Sequence, residues 1–379
     1  MLYFSILFVL FLFSVFEFFN LYKLSCVEVK FLSFNKVVYI YISFFLFFIA
    51  AFRYKTGRDW QEYMFFFENC ITTHSMWESG FVMLNKIFKS SFNSFYFMQF
   101  CILLFSSFAI YKNFYDRSKY FIFTMFIYFV TFFLPLDMAQ TRQHIAIAIL
   151  VIAQKYIREK KLMLWTLWIF IAMQFHISAI CAFPLYFTTY KKVSKIGILF
   201  LFSLSLFMTF FGLSITRNIL SGILEIPFMP SRIKNIGNGY LNSTIYGQQI
   251  QFSSGIGFWI KNFFIIFILI FYCQKNGADT KYYMCNFLIA LLLQSLGRNF
   301  DQFSRIAYYY LICGGGICAY NLLIDSKAFF KGLPYLRIIF CVLFLLFNVY
   351  NFYTSWTSMF LGHSYKTDYT PYKLFIFNL

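Results

Sequence analysis

The amino-acid sequence predicts an all-α, polytopic membrane protein: an inner-membrane helical bundle of about twelve transmembrane segments. Three observations carry that prediction. Of 379 residues, 61% are hydrophobic and only 12% are charged, whereas a soluble domain carries about 25% charged residues. The mean hydropathy is +0.68. Apolar runs of about 20 residues recur from end to end, and a run of that length crosses a bilayer as a helix. A β-barrel would instead show short segments of alternating polarity.

Taken in order, the apolar segments lie near 2–20, 34–52, 94–111, 119–136, 139–157, 162–175, 177–190, 196–213, 257–273, 283–297, 304–323 and 335–353. The first lacks a basic leader and a small-residue cleavage site, so it is expected to stay in place as a helix. No soluble domain interrupts the series. The expectation is a single integral membrane domain, 1–379, with extended loops at 53–93 and 214–256. The stretch 162–190 has basic residues on both flanks and room for two short helices. Its expected form is a hairpin whose tip, Phe175-His176, reaches the surface opposite those flanks. A single long helix there would invert every later segment.

The formal charge of +18 comes from 32 Lys and Arg against 14 Asp and Glu. In a soluble chain that balance would indicate nucleic acid. Here 18 of the basic residues, 15 of them Lys, sit in one alternate set of short loops. The positive-inside rule makes that face cytoplasmic, so topology rather than nucleic acid accounts for the charge. The other, periplasmic face receives seven of the ten Arg and both long loops. The nine Cys are scattered without metal-binding spacing and read as small buried hydrophobes.

Four constellations on the expected periplasmic face carry the candidate chemistry. In Phe52-Arg53-Tyr54-Lys55-Thr56-Gly57-Arg58-Asp59-Trp60, Gly57 permits a tight turn that presents Asp59. Arg53 and Arg58 would stand at phosphate height, or merely anchor the chain at the interface. In Asp137-Met138-Ala139-Gln140-Thr141-Arg142-Gln143-His144, Arg142 opens an otherwise apolar helix. An Arg at membrane depth costs about 3 kcal/mol, which marks a function, and its fork grips phosphate bidentately. The bland reading is a salt bridge from Arg142 to Asp137 or Asp301. His176, in Gln174-Phe175-His176-Ile177-Ser178, is either a helix-end group or a ligand or base near neutral pH. Arg298 and Arg305 flank Asp301, leaving one positive charge more than a single ion pair needs. Glu78 is weaker, expected to cap an amphipathic stretch over 78–90. Glu17 lies inside the first helix, from where its side chain can snorkel. The sequence holds no P-loop, no GxSxG, no DxD pair and no metal-ligand cluster, so no cofactor is expected.

These pieces, in this order, resemble the Wzy/EpsG group of bacterial polysaccharide polymerases, which includes the O-antigen polymerases. The similarity rests on FRYKTGRDWQEY after the second helix, ESGFVMLN, RQHIAIAI, FHISAI, SRIAYYY and the tail Thr370-Pro371-Tyr372. Arg58 departs from the small or polar residue common in relatives, so it carries less weight than Arg53. The resemblance implies a GT-C-like glycosyltransferase acting at the periplasmic face. It would transfer a growing glycan from undecaprenyl pyrophosphate onto a lipid-linked repeat unit. Such an enzyme works among membrane lipids and alongside a chain-length regulator. Arg142, Arg298, Arg305 and Arg53, helped by Arg58, Gln143 and Asp301, would hold the leaving pyrophosphate, a role that needs no metal. Asp59 would position or deprotonate the acceptor hydroxyl, and His176 would meet the donor phosphate.

Two other classes compete. A flippase for lipid-linked oligosaccharide would need polar groups along a path through both leaflets, whereas here they gather at one end. A membrane acyltransferase would use His176 or His144 near a lipid thioester, and the Arg-rich face favours pyrophosphate over that chemistry.

Overall fold

In a computed structural model, the structure describes residues 2–20, 28–72, 77–188, 194–226, 234, 238, 256–272, 278–297, 301–325, 334–357, 369–370 and 372–373. The regular elements among the described residues are all helices, and they form two compact units, Met1–Phe187 with Tyr320–Leu379, and Thr188–Ala319.

The first unit begins with α1 (Leu2–Asn20) and α2 (Glu28–Ala51), followed by two short helices, α3 (Trp60–Asn69) and α4 (Ser79–Ser91). Next come α5 (Phe95–Arg117) and α6 (Phe121–Tyr128), the latter running on as a π-helix over Phe129–Asp137. Then follow α7 (Thr141–Ala153), α8 (Lys155–Arg158) and α9 (Leu162–Met173), and a 3-10 helix over Ile177–Tyr186. The second unit contains α10 (Lys195–Leu224), α11 (Ile256–Tyr272), α12 (Ala278–Gly297) and α13 (Asp301–Tyr308). Two helices return to the first unit, α14 (Asn321–Ile324) and α15 (Pro334–Thr357).

Every expected apolar segment coincides with one or more of these helices. Among the described residues, three helices qualify as membrane spans by length and composition: Phe34–Ala51, Phe95–Arg117 and Leu336–Thr357. The pair Phe303–Cys313 and Gly316–Ile324, bent by 72°, adds a fourth if it is one broken span. Large apolar side chains such as Phe44, Phe108 and Phe8 are more than half exposed. In water such a surface would drive aggregation, but in a bilayer it faces lipid.

α7 is the central helix of the first unit. It packs against α5, α9, the π-helix and the 3-10 helix. Its Ile- and Ala-rich sequence is buried over Gln143–Val151, where the small Ala residues let neighbouring backbones approach closely. α6 is buried at every position, Phe121 to Tyr128. At its start the Glu17 side chain accepts a hydrogen bond from the Phe123 amide at 2.9 Å. Glu17 is 3% exposed, so it caps a helix inside the unit rather than snorkelling outward.

The expected hairpin at 162–190 is present. α9 ends at Met173, the chain turns through Gln174–His176, and the 3-10 helix returns along α9. The Tyr186 hydroxyl donates to the Lys160 carbonyl at 2.8 Å, closing the base of the hairpin. In the second unit, Asn286 accepts from the Thr188 hydroxyl at 2.9 Å and donates to the Gly314 carbonyl at 2.9 Å. A Cβ at Gly314 would fall 2.5 Å from the Tyr310 carbonyl oxygen, so this break in the helix requires glycine.

Candidate functional site

The N-termini of α3, α4 and α7 and the hairpin tip converge in the first unit. Gly57 sets the first of these in place. Its φ of +106° is a glycine conformation, and a Cβ there would lie 2.2 Å from the Met138 carbonyl oxygen. The loop before α3 is thereby pressed onto the corner before α7. Asp59 sits at the N-cap position of α3, half-buried, with Tyr63 one turn further on. The Tyr63 amide donates to the Asp59 carbonyl at 3.1 Å.

Tyr63 leads to Arg142. The guanidinium interacts electrostatically with Tyr63 and lies 4.8 Å from the centre of the Trp77 ring. Trp77 in turn packs on Tyr63, Phe66 and Phe81. The ionic partner of Arg142 is Glu78, with Nη1 to Oε2 at 2.7 Å. This replaces the pairing with Asp137 read from sequence; the Asp301 side chain lies outside those the structure describes. The other oxygen of Glu78 accepts from the Ile177 amide at 3.2 Å, which ties the pair to the hairpin tip. Burial pushes the Glu78 carboxyl up, but Arg142 and the Ile177 amide hold it below its ordinary value.

α4 is docked on that tip by close backbone approach. The Phe81 amide donates to the Gln174 carbonyl at 3.1 Å, and the Ser79 hydroxyl donates to Gln174 Oε1 at 2.5 Å. A Cβ on Gly80 would stand 2.8 Å from the Gln174 carbonyl oxygen. His176 is half-buried next door, and its Nδ1 is 2.6 Å from the Ser178 hydroxyl, which fixes the ring.

A second polar cluster lies wholly inside the unit. Asp137 ends the π-helix, whose wide turns and Pro135 deliver its carboxylate to the core. Tyr111 donates to it at 2.6 Å and Tyr128 donates to the other oxygen. His144 Nε2 lies 3.3 Å from the same carboxylate, and its Nδ1 is 3.2 Å from the Ser106 hydroxyl. Ser106, His144 and Asp137 have the composition of a hydrolytic triad, but all three are 0% exposed, so no substrate meets them.

Arg53 belongs to this interior. It is 1% exposed and donates to the carbonyls of Ala50 at 2.7 Å and Asp137 at 3.2 Å. Tyr369, Tyr372 and Lys373 pack around it. The Tyr369 hydroxyl donates to the Leu134 carbonyl at 2.9 Å, Tyr372 donates to Ile49 at 2.8 Å, and the Tyr54 amide donates to the Lys373 carbonyl at 2.9 Å.

Of the residues singled out by sequence, the structure therefore brings together Arg142, His176 and, through Tyr63, Asp59. Arg58 is exposed on the same loop, whereas Gln143 is fully buried. Asp301 and Arg305 lie on α13 in the second unit, and Arg305 is half-buried there. Arg298 lies outside the described residues, as does most of 227–255. Sequence reasoning underweighted Glu78 and missed Tyr63 and Trp77 as partners of Arg142. The one signal for Glu78 was the Ser79-Gly80 pair behind it, small residues that mark a close approach. Among the described residues no group of three His, Cys, Asp or Glu side chains could hold a metal.

A sequence model described as the EpsG family matches residues 36–373 of the chain, nearly its whole length. No curated protein and no solved structure matches it.

Proposed function

This chain belongs to the EpsG family, membrane proteins of the polysaccharide-polymerase type, and we propose that it polymerises a surface polysaccharide such as O-antigen. The substrates are two lipid-linked oligosaccharides in the bacterial inner membrane. The growing glycan leaves its undecaprenyl-pyrophosphate carrier and joins a sugar hydroxyl of the next repeat unit, at the periplasmic face. The bundle is proposed to be GT-C-like, with about twelve spans.

One observation carries this reading. Arg142 stands at the open end of an apolar helix, walled by Trp77 and Tyr63, with its side chain still 25% exposed. A guanidinium with little water around it stabilises charge that develops on a leaving diphosphate, and it is already in place when the bond breaks. Asp59, at the N-cap of α3, and His176, beside the Ile177 amide that Glu78 holds, are assigned to the acceptor hydroxyl and the donor phosphate respectively. Asp59 takes up or orients the hydroxyl proton as the new glycosidic bond forms. Arg298 and Arg305, on either side of Asp301, are assigned to an anionic lipid headgroup as well. Arg58 reaches outward from the α3 loop toward the same class of ligand.

Deleting the gene in its own bacterium tests the reading. Surface glycan resolved by size should collapse from a ladder to a single repeat unit. A ladder that survives the deletion refutes the proposal.

A further inference from the structure

The Glu78 carboxylate occupies the place that an incoming anion would need. It lies on the guanidinium of Arg142 at 2.7 Å, and the pair is partly open to solvent, at 25% and 17% side-chain exposure. Glu78 is also the N-cap residue of α4, a position where a carboxylate is well placed to accept from its own helix. It makes no such bond. Its two oxygens go instead to Arg142 and to the Ile177 amide. The contrast with Arg53 is informative, because Arg53 is closed off by backbone carbonyls and the tail. Among the described residues, the carboxylate paired with Arg142 is a side chain, that of Glu78, and not a backbone group.

Resting on the reading of Arg142 as the diphosphate site, we propose that Glu78 is a resident anion exchanged for the substrate diphosphate. A diphosphate carries more negative charge and more acceptor oxygens than one carboxylate, so it takes the guanidinium fork. The carboxylate swings off, and the Ile177 amide loses its acceptor. When the glycan has left, Glu78 competes for Arg142 again and helps expel the spent carrier. Glu78 is thus a positioning residue that sets affinity and release, distinct from Asp59 and His176.

The substitution Glu78→Gln keeps the shape and the carbonyl acceptor for Ile177 but removes the competing charge. The exposed part of such an ion pair corresponds to about a two- to fivefold change in an equilibrium constant. The full chain in lipid nanodiscs is titrated with farnesyl diphosphate, and binding is followed calorimetrically. Glu78→Gln should bind about two- to fivefold more tightly than wild type, and in polymerisation KM and kcat should both fall. A second readout uses wild type alone, so it does not depend on the variant folding. Saturating farnesyl diphosphate should raise deuterium uptake over residues 174–178.

If wild type binds and Arg142→Ala does not, equal or weaker binding by Glu78→Gln overturns the exchange and leaves the diphosphate site standing. So does unchanged or reduced deuterium uptake at the tip. If wild type and Arg142→Ala bind alike, or neither binds, the diphosphate site itself is refuted and the exchange with it.

Discussion

Glu78 and Arg142, 64 residues apart in sequence, meet at 2.7 Å and join the start of α4 to the start of α7. The same carboxylate holds the Ile177 amide, so three separate elements share one ion pair. Four measurable consequences follow from this arrangement and the packing around it.

The ion pair fixes a pH dependence. The folded-state value of Glu78 lies below its ordinary one. A carboxyl depressed in this way contributes stability that is complete above the ordinary carboxylate range. That contribution is lost as pH falls through the folded-state value. Protection factors for residues 174–178, measured by hydrogen exchange in nanodiscs, should be flat from about pH 7 to about pH 5.5 and decline in more acid buffer. Glu78→Gln should abolish the decline.

Arg53 and Arg142 should separate cleanly when mutated. Replacing Arg53 by Met leaves the buried carbonyls of Ala50 and Asp137 without their donor, at a cost of about 1–3 kcal/mol for each. Arg53→Met should therefore lower folded yield and thermal midpoint in detergent. The fraction that folds should keep near-normal turnover, because the side chain does not reach the surface.

Gly57 provides a test of how the α3 loop is seated. Ala at this position must adopt φ near +106° and place its Cβ 2.2 Å from the Met138 carbonyl oxygen. The strain is about 2–4 kcal/mol, and the loop rather than the bundle absorbs it. Gly57→Ala should speed limited proteolysis within 53–63 and reduce polymerisation by displacing Asp59 from Tyr63.

Gly80 tests the docking of α4. A Cβ there meets the Gln174 carbonyl oxygen at 2.8 Å and must push α4 off the hairpin tip. Gly80→Ala should lengthen the Glu78–Arg142 contact, lower activity by about tenfold as positioning is lost, and leave the helical circular dichroism unchanged.

Much of the fold was legible in the sequence because each apolar run is long enough to form a helix and is bounded by polar or basic residues. The hairpin at 162–190 was legible for the same reason, since its length fits two short helices and its flanks are both basic. Arg142 stood out because a charge is costly in that setting. Its partner did not stand out, because Glu78 lies 64 residues away in a stretch that reads as an ordinary helix cap. The difference between Arg53 and Arg142 was likewise hidden. Both are Arg at a helix end, Arg53 just after α2 and Arg142 at the start of α7. What buries Arg53 is the packing of Tyr369, Tyr372 and Lys373 against the α2 end and the π-helix, contacts more than 200 residues distant. Local pattern reports the cost of placing a charge, and only the tertiary fold reports what covers it.

The central claim is that Arg142 stabilises a departing lipid diphosphate. The direct measurement is a reaction of purified protein in nanodiscs with defined lipid-linked repeat units. Chain elongation and release of the undecaprenyl-pyrophosphate carrier are read together. Wild type should release one carrier for each bond formed. Arg142→Ala should lower both by about 100-fold or more, as loss of a preorganised donor does elsewhere, and Arg142→Lys should fall between. Full elongation and carrier release by Arg142→Ala would contradict the account.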